Sequence, residues 1–265
     1  VSSKTTIGAA ALGVLNAGDP DAKIAAALDA VTGWRNGTLA QDQAPLAMPD
    51  RPARPARPEL RAPGDMPKRS ARGSSGRIAM LHALAHIEFN AIDLAWDMVA
   101  RFGPTVGERA FFDDWVQVGG EEARHFSMIR HRLRELGADY GDLPAHDGLW
   151  EAAQDTSDDI LARLAIVPLV LEARSLDVTP QMAEKFRSRG DEESARLLDL
   201  IYRDEVGHVA SGMRWFQTIC VNLRQDPVAS FHELVRTRFK GGLKPPFNEA
   251  ARTQAGLLRE FYHQP

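Results

Sequence analysis

Glu205-Val206-Gly207-His208 sets a carboxylate and an imidazole three residues apart, and Glu122-Ala123-Arg124-His125 repeats the arrangement earlier in the chain. A helix advances about 100° per residue, so positions i and i+3 lie within roughly 60° of each other and each pair can grip one cation. Two further glutamates, Glu88 and Glu172, fall inside rows of apolar residues. A carboxylate in such a row is costly to bury unless it is paired or bound to a cation. Glutamates can bridge two cations and neutralise their charge, while one imidazole per cation adds a nitrogen donor and leaves open positions for oxygen, peroxide or water. The expected metal set is therefore Glu88, Glu122, His125, Glu172, Glu205 and His208, with Glu122 and Glu205 bridging, Glu88 and Glu172 terminal, and one histidine on each ion. No catalytic group beyond these ligands is evident.

The elements that must carry these residues read as four long helices. The first, 78 to 101, has Ile78, Leu81, Leu84, Ile92, Ala95 and Val99 at three- and four-residue steps, with Glu88 completing the row. His82 and His86 are rotated away from Glu88, on the flank of Asn90, Asp93 and Asp97, and read as surface or supporting residues, not ligands. The second, 106 to 136, has its seam at Phe111, Trp115, Val118, Glu122, His125, Ile129 and Leu136; Glu121 is turned about 100° off it. The third, 158 to 179, sets Leu161, Leu164, Ala165, Pro168, Leu171 and Leu176 around Glu172. Pro168 should kink it and Pro180 should break or bend the path before a short helix over 181 to 188. The fourth, 191 to 220, has Leu198, Ile201, Glu205, His208, Gly212, Trp215 and Ile219 on one seam. Trp96, Trp115, Tyr202 and Trp215 read as core packing, although aromatic residues at such spacing could also relay electrons. A lone Glu-x-x-His is usually a solvated face. Two on apolar seams, each preceded by a core glutamate, imply a dinuclear metal centre. Without metal, four carboxylates would share a dry core at severe electrostatic cost.

Around this bundle, residues 1–40 read as an N-terminal helical hairpin, with Asp19-Pro20 starting its second helix. Residues 41–77 form a proline-rich linker, 78–220 the metal-binding bundle and 221–265 a C-terminal helical extension with Asn248 as an N-cap. The irregular stretch 138 to 158 is long enough to carry the chain across the bundle, so that the third helix runs parallel to the second. The fold class is all-α, a ferritin-like four-helix bundle with one long crossover between helices 2 and 3.

Composition limits the alternatives. The chain has 265 residues, 44% of them hydrophobic, and a net charge of -4, which gives no global drive towards nucleic acid or membrane. Cys220 is the sole cysteine, so an internal disulfide and a cysteine-ligated cluster are excluded. Lys4 and the run Ile7 to Leu15 imitate a secretory signal only faintly, no run reaches the roughly 18 to 20 apolar residues of a membrane span, and a cytoplasmic protein is expected. The linker is locally basic, with Arg51, Arg54, Arg57, Arg61, Lys68, Arg69, Arg72 and Arg77. A basic arm can neutralise phosphates, but no aromatic residue interleaves the charges, and wrapping over its own domain is the favoured reading.

The stretches His82-Ala83-Leu84-Ala85-His86-Ile87-Glu88, Glu121-Glu122-Ala123-Arg124-His125-Phe126, Val167-Pro168-Leu169-Val170-Leu171-Glu172-Ala173-Arg174 and Arg203-Asp204-Glu205-Val206-Gly207-His208, with Leu243-Lys244-Pro245-Pro246-Phe247-Asn248 near the end, resemble a bacterial ferritin-like family of unknown function. More distantly, the pattern is similar to di-iron monooxygenases that hydroxylate a modified tRNA nucleoside. The resemblance implies the bundle, the ligands and oxygen activation, and leaves the substrate open. The expected function is a non-haem di-iron oxidase or oxygenase acting on an unidentified small molecule, using O2 and an external electron donor. The alternatives are a manganese or mixed Mn/Fe enzyme that disproportionates peroxide, and a metal-storage or metal-sensing protein without turnover.

Overall fold

The computed structural model describes residues 5–66 and 73–263. Lys4 and the linker residues Pro67, Lys68, Arg69 and Arg72 lie outside the described residues. Among the described residues the secondary structure is helical, with no strand beyond two isolated bridges. The chain divides into two compact units, residues 1–150 and 151–265.

In the first unit, α1 (Ile7–Asn16) and α2 (Pro20–Arg35) pack against each other as a hairpin. Asp19 caps α2 by accepting from the Ala22 N–H at 2.9 Å, with Pro20 in the first turn. The hairpin packs on α3 (Gly73–Asp97) and α5 (Arg109–Glu135), which pack closely on each other. A Cβ on Gly119 of α5 would sit 2.6 Å from Trp96 Nε1 of α3, so only glycine lets the helices approach this far. A π-helical segment, Met98–Phe102, and the short α4 (Gly103–Val106) extend α3. Gly73–Val106 is long and apolar enough to cross a membrane by length and composition, contrary to the expectation that no run would be; 72% of its apolar window is buried inside the fold, as in a core helix.

The flank of α3 carrying His82, His86, Asn90, Asp93 and Asp97 is buried, so of the surface or supporting roles expected for His82 and His86 the surface one is overturned. Its partners come from segments distant in sequence. Lys23 of α2 donates to Asp93 Oδ1 at 2.5 Å and to the Val14 carbonyl at 2.9 Å; Arg54 of the linker reaches Asp93 Oδ2 at 2.9 Å and Asn90 Oδ1 at 2.6 Å. Burial pushes the Lys23 ammonium down and the Asp93 carboxyl up, each against its charged form, and the ion pairing opposes both shifts. His86 contacts the Tyr140 hydroxyl at 2.9 Å, and burial lowers its pKa to about 4. His82 Nε2 accepts from the Gly141 N–H at 2.9 Å. Part of the linker thus wraps over its own domain: Arg51 also pairs with Asp147.

A further short helix, α6 (Gly148–Gln154), lies within the expected irregular connection and holds the boundary between the units. In the second unit, α7 (Ile160–Ile166) runs into a π-helical segment, Val167–Glu172, and then α8 (Ala173–Arg187). Pro168 therefore produces a π segment where a kink was expected. Pro180 lies inside α8 and does not break it. The carbonyl that Pro180 leaves without its helical N–H partner is that of Leu176, and it accepts instead from Asn248 Nδ2 at 3.1 Å. The long α9 (Glu192–Asn222) packs on α8 and on the π segment. A Cβ on its Gly212 would lie 2.5 Å from Pro168 Cβ. The tail supplies α10 (Pro227–Arg238), α11 (Glu249–Gln254) and α12 (Arg259–Tyr262). Asn248 caps α11 as expected, accepting from the Ala251 N–H.

Candidate metal centre

Each unit carries one glutamate followed by one Glu-x-x-His pair. In the first, α3 supplies Glu88 and α5 supplies Glu122 and His125, all buried, with His125 fully so. His125 Nδ1 lies 3.4 Å from Glu88 Oε2 and 3.4 Å from Glu122 Oε2. One donor atom from each of the three residues lies within 4.8 Å of the others. Burial, and then the facing Glu122 carboxylate, push the Glu88 carboxyl well above its ordinary value. Glu88 Oε2 is buried and has no hydrogen-bond partner among the described residues. An oxygen in that condition suits a cation. Metal–donor bonds of roughly 2.0–2.2 Å at near-octahedral or tetrahedral angles separate neighbouring donors by about 3.0–3.5 Å, which matches the observed 3.4 Å contacts. These residues could hold a metal ion.

In the second unit, Glu172 closes the π segment and is half-buried, while Glu205 and His208 of α9 are buried. His208 Nδ1 is 3.6 Å from Glu205 Oε1. The Ser175 hydroxyl sits 2.7 Å from both Glu205 Oε2 and the Glu172 carbonyl. Sequence reasoning missed Ser175, although its position three residues after Glu172 places it on the same helical face. Glu121, left out of the donor set, bonds Gln117 and Arg124 beside it on α5. His82 and His86 are engaged by backbone, Tyr140 and Asn90, away from the carboxylates.

The family model described as "Protein of unknown function (DUF455)" matches residues 16–263. The chain belongs to this family. An uncharacterized protein of Haemophilus influenzae is 46% identical over 210 residues, covering 77% of this chain and 73% of that relative. No solved structure matches the chain. The family description assigns no reaction, so the chemistry must be read from the donors themselves.

Proposed function

We propose that the two donor sets are halves of one dinuclear centre in a ferritin-like four-helix bundle, and that the protein is a non-haem di-iron oxidase or oxygenase. The observation that carries this reading is the buried Glu88, Glu122 and His125 cluster, where two carboxylates face one imidazole nitrogen at 3.4 Å. The same residue types at the same spacing in the second unit support a second ion. Bound iron would supply the one-electron steps that activate O2 towards an organic substrate, with electrons from an external donor. The chain's own contribution is to hold and orient. Ser175 has a single hydroxyl proton, which it can give to the Glu205 carboxylate or to the Glu172 carbonyl, and donation to Glu205 fixes that carboxylate with its other oxygen towards His208. The distant similarity to tRNA-hydroxylating monooxygenases supports oxygen activation; with Arg51 and Arg54 engaged by Asp147 and Asp93, a small-molecule substrate is the preferred reading over nucleic acid.

The test is anaerobic loading of the purified full chain with ferrous iron or manganese, followed by metal analysis and oxygen-uptake measurement. Two ions per chain are expected, with loss of loading in Glu122→Ala and Glu205→Ala. A protein that retains neither metal overturns the proposal. Consumption of peroxide by the manganese form without added substrate would replace the oxygenase reading with disproportionation.

A further inference from the structure

A cavity of about 160 Å³ lies in the second unit, beside the residue that closes the π segment. Val170 and Leu171, the two residues before Glu172, form one wall. Phe239, Leu243 and Phe247, from the irregular stretch between α10 and α11, form the other. No acidic side chain lines it, but Arg174, Lys244 and Arg252 do.

The three cations differ in what they have left to offer. Arg252 is buried and fully committed: Nε and Nη2 grip Asp177 at 2.9 and 2.7 Å, and its guanidinium stacks on Phe247 and Tyr262. Arg174 uses only Nη1, which donates to the Lys244 carbonyl at 2.8 Å and the Pro246 carbonyl at 3.1 Å and approaches Asp177 at 3.3 Å. Its Nε and Nη2 carry no hydrogen bond among the described residues. The Lys244 side chain is exposed and makes no ion pair among them. Asp177 thus pairs with both Arg252 and, through Nη1, Arg174, so one carboxylate answers two guanidinium groups, and the remaining Arg174 nitrogens and the Lys244 ammonium leave the lining net positive. An apolar enclosure whose lining also includes these two cations matches a ligand that is apolar along its body and anionic at one end.

We infer that this cavity binds a small amphipathic anion, with an apolar body between the π segment and the Phe239–Phe247 stretch and a carboxylate or phosphate head on Arg174 and Lys244. That the ligand is the organic substrate of the metal centre rests on the proposed function; that it binds does not. Leu171 and Glu172 are consecutive in one distorted helical segment, so a molecule seated against Leu171 packs on the segment that carries a candidate metal ligand.

The test is calorimetric titration of the chelator-treated, metal-free full chain with octanoate, octyl phosphate and octan-1-ol. At least one of the anions is expected to bind, at least about tenfold tighter than the alcohol, and the tighter anion identifies the head group. Lys244→Gln should weaken anion binding about tenfold and leave octan-1-ol unchanged. Arg174→Gln should weaken it as well, but Arg174 also ties down two carbonyls of the loop, so the exposed Lys244 is the deciding variant. Equal affinity for octanoate and octan-1-ol, anion binding unchanged in Lys244→Gln, or no binding by any probe overturns the inference. Because the titration uses metal-free protein, a failure of the dinuclear reading would leave anion binding intact.

Discussion

In the metal-free state, replacing Glu88 with glutamine should stabilise the protein while abolishing metal uptake in the first unit. Glu88 and Glu122 present donor atoms within 4.8 Å of each other in a buried environment. Two like unit charges at that distance repel by about 3 kcal/mol at an effective dielectric constant near 20. Proton uptake already relieves part of this, since burial and Glu122 raise the Glu88 carboxyl above its ordinary value, so the net gain expected at pH 7 is about 1–2 kcal/mol. Glutamine preserves the volume, and its amide can donate to the remaining carboxylate. Urea unfolding of chelator-treated wild type and Glu88→Gln, followed by the same curves with saturating manganese, gives the comparison. Metal should stabilise the wild type more than Glu88→Gln, which keeps only the donors of the second unit, because a ligand that binds only the folded state adds stability that grows as the logarithm of its concentration relative to its dissociation constant. A metal-free Glu88→Gln that is less stable than wild type by more than about 1 kcal/mol would refute the reasoning, since the carboxylate would then be a structural partner.

Two further outcomes concern the fold. Gly212→Ala should cost about 1–3 kcal/mol in urea unfolding because its Cβ meets the stiff Pro168 ring at 2.5 Å, and Gly119→Ala should cost a similar amount against Trp96. Gly207→Ala in the same helix as Gly212, where nothing lies within 4 Å of the added carbon, should be neutral or gain up to about 1 kcal/mol. In the buried polar layer, Asp93→Ala should destabilise by about 3–5 kcal/mol by leaving Lys23 and Arg54 without their shared acceptor. Lys23→Met should cost clearly less, because Asp93 keeps Arg54, and equal losses would show that the pair, not the shared carboxylate, is the stabilising unit.

The seams of α5 and α9 were legible because each helix shows one apolar stripe, and a glutamate or histidine on that stripe stands out against it. The α3 flank was not. From Leu81 to Asp97 that helix is buried nearly all round, and the groups that balance its polar side, Lys23 and Arg54, are 70 and 39 residues before Asp93 in the chain. Local spacing holds no record of such partners. Pro180 was misleading for a similar reason, since the donor that compensates it is 72 residues beyond the Leu176 carbonyl. The pairwise donor geometry within each unit follows from i, i+3 spacing, whereas Ser175 carries no signal by itself because a lone serine on a helix ordinarily bonds its own backbone.

Asn248 accepts from the Ala251 N–H to begin α11, while its amide donates to the Leu176 carbonyl and to the Tyr202 hydroxyl and its backbone N–H reaches Asp177. A helix ordinarily closes its hydrogen-bond ladder with its own residues, but α8 borrows one rung from the far end of the chain. The integrity of the helix that follows Glu172 is therefore not encoded in that helix alone. Pro180 is a tolerated residue only while the tail is docked, and in a chain lacking Asn248 it would regain the helix-breaking character that its ring geometry dictates.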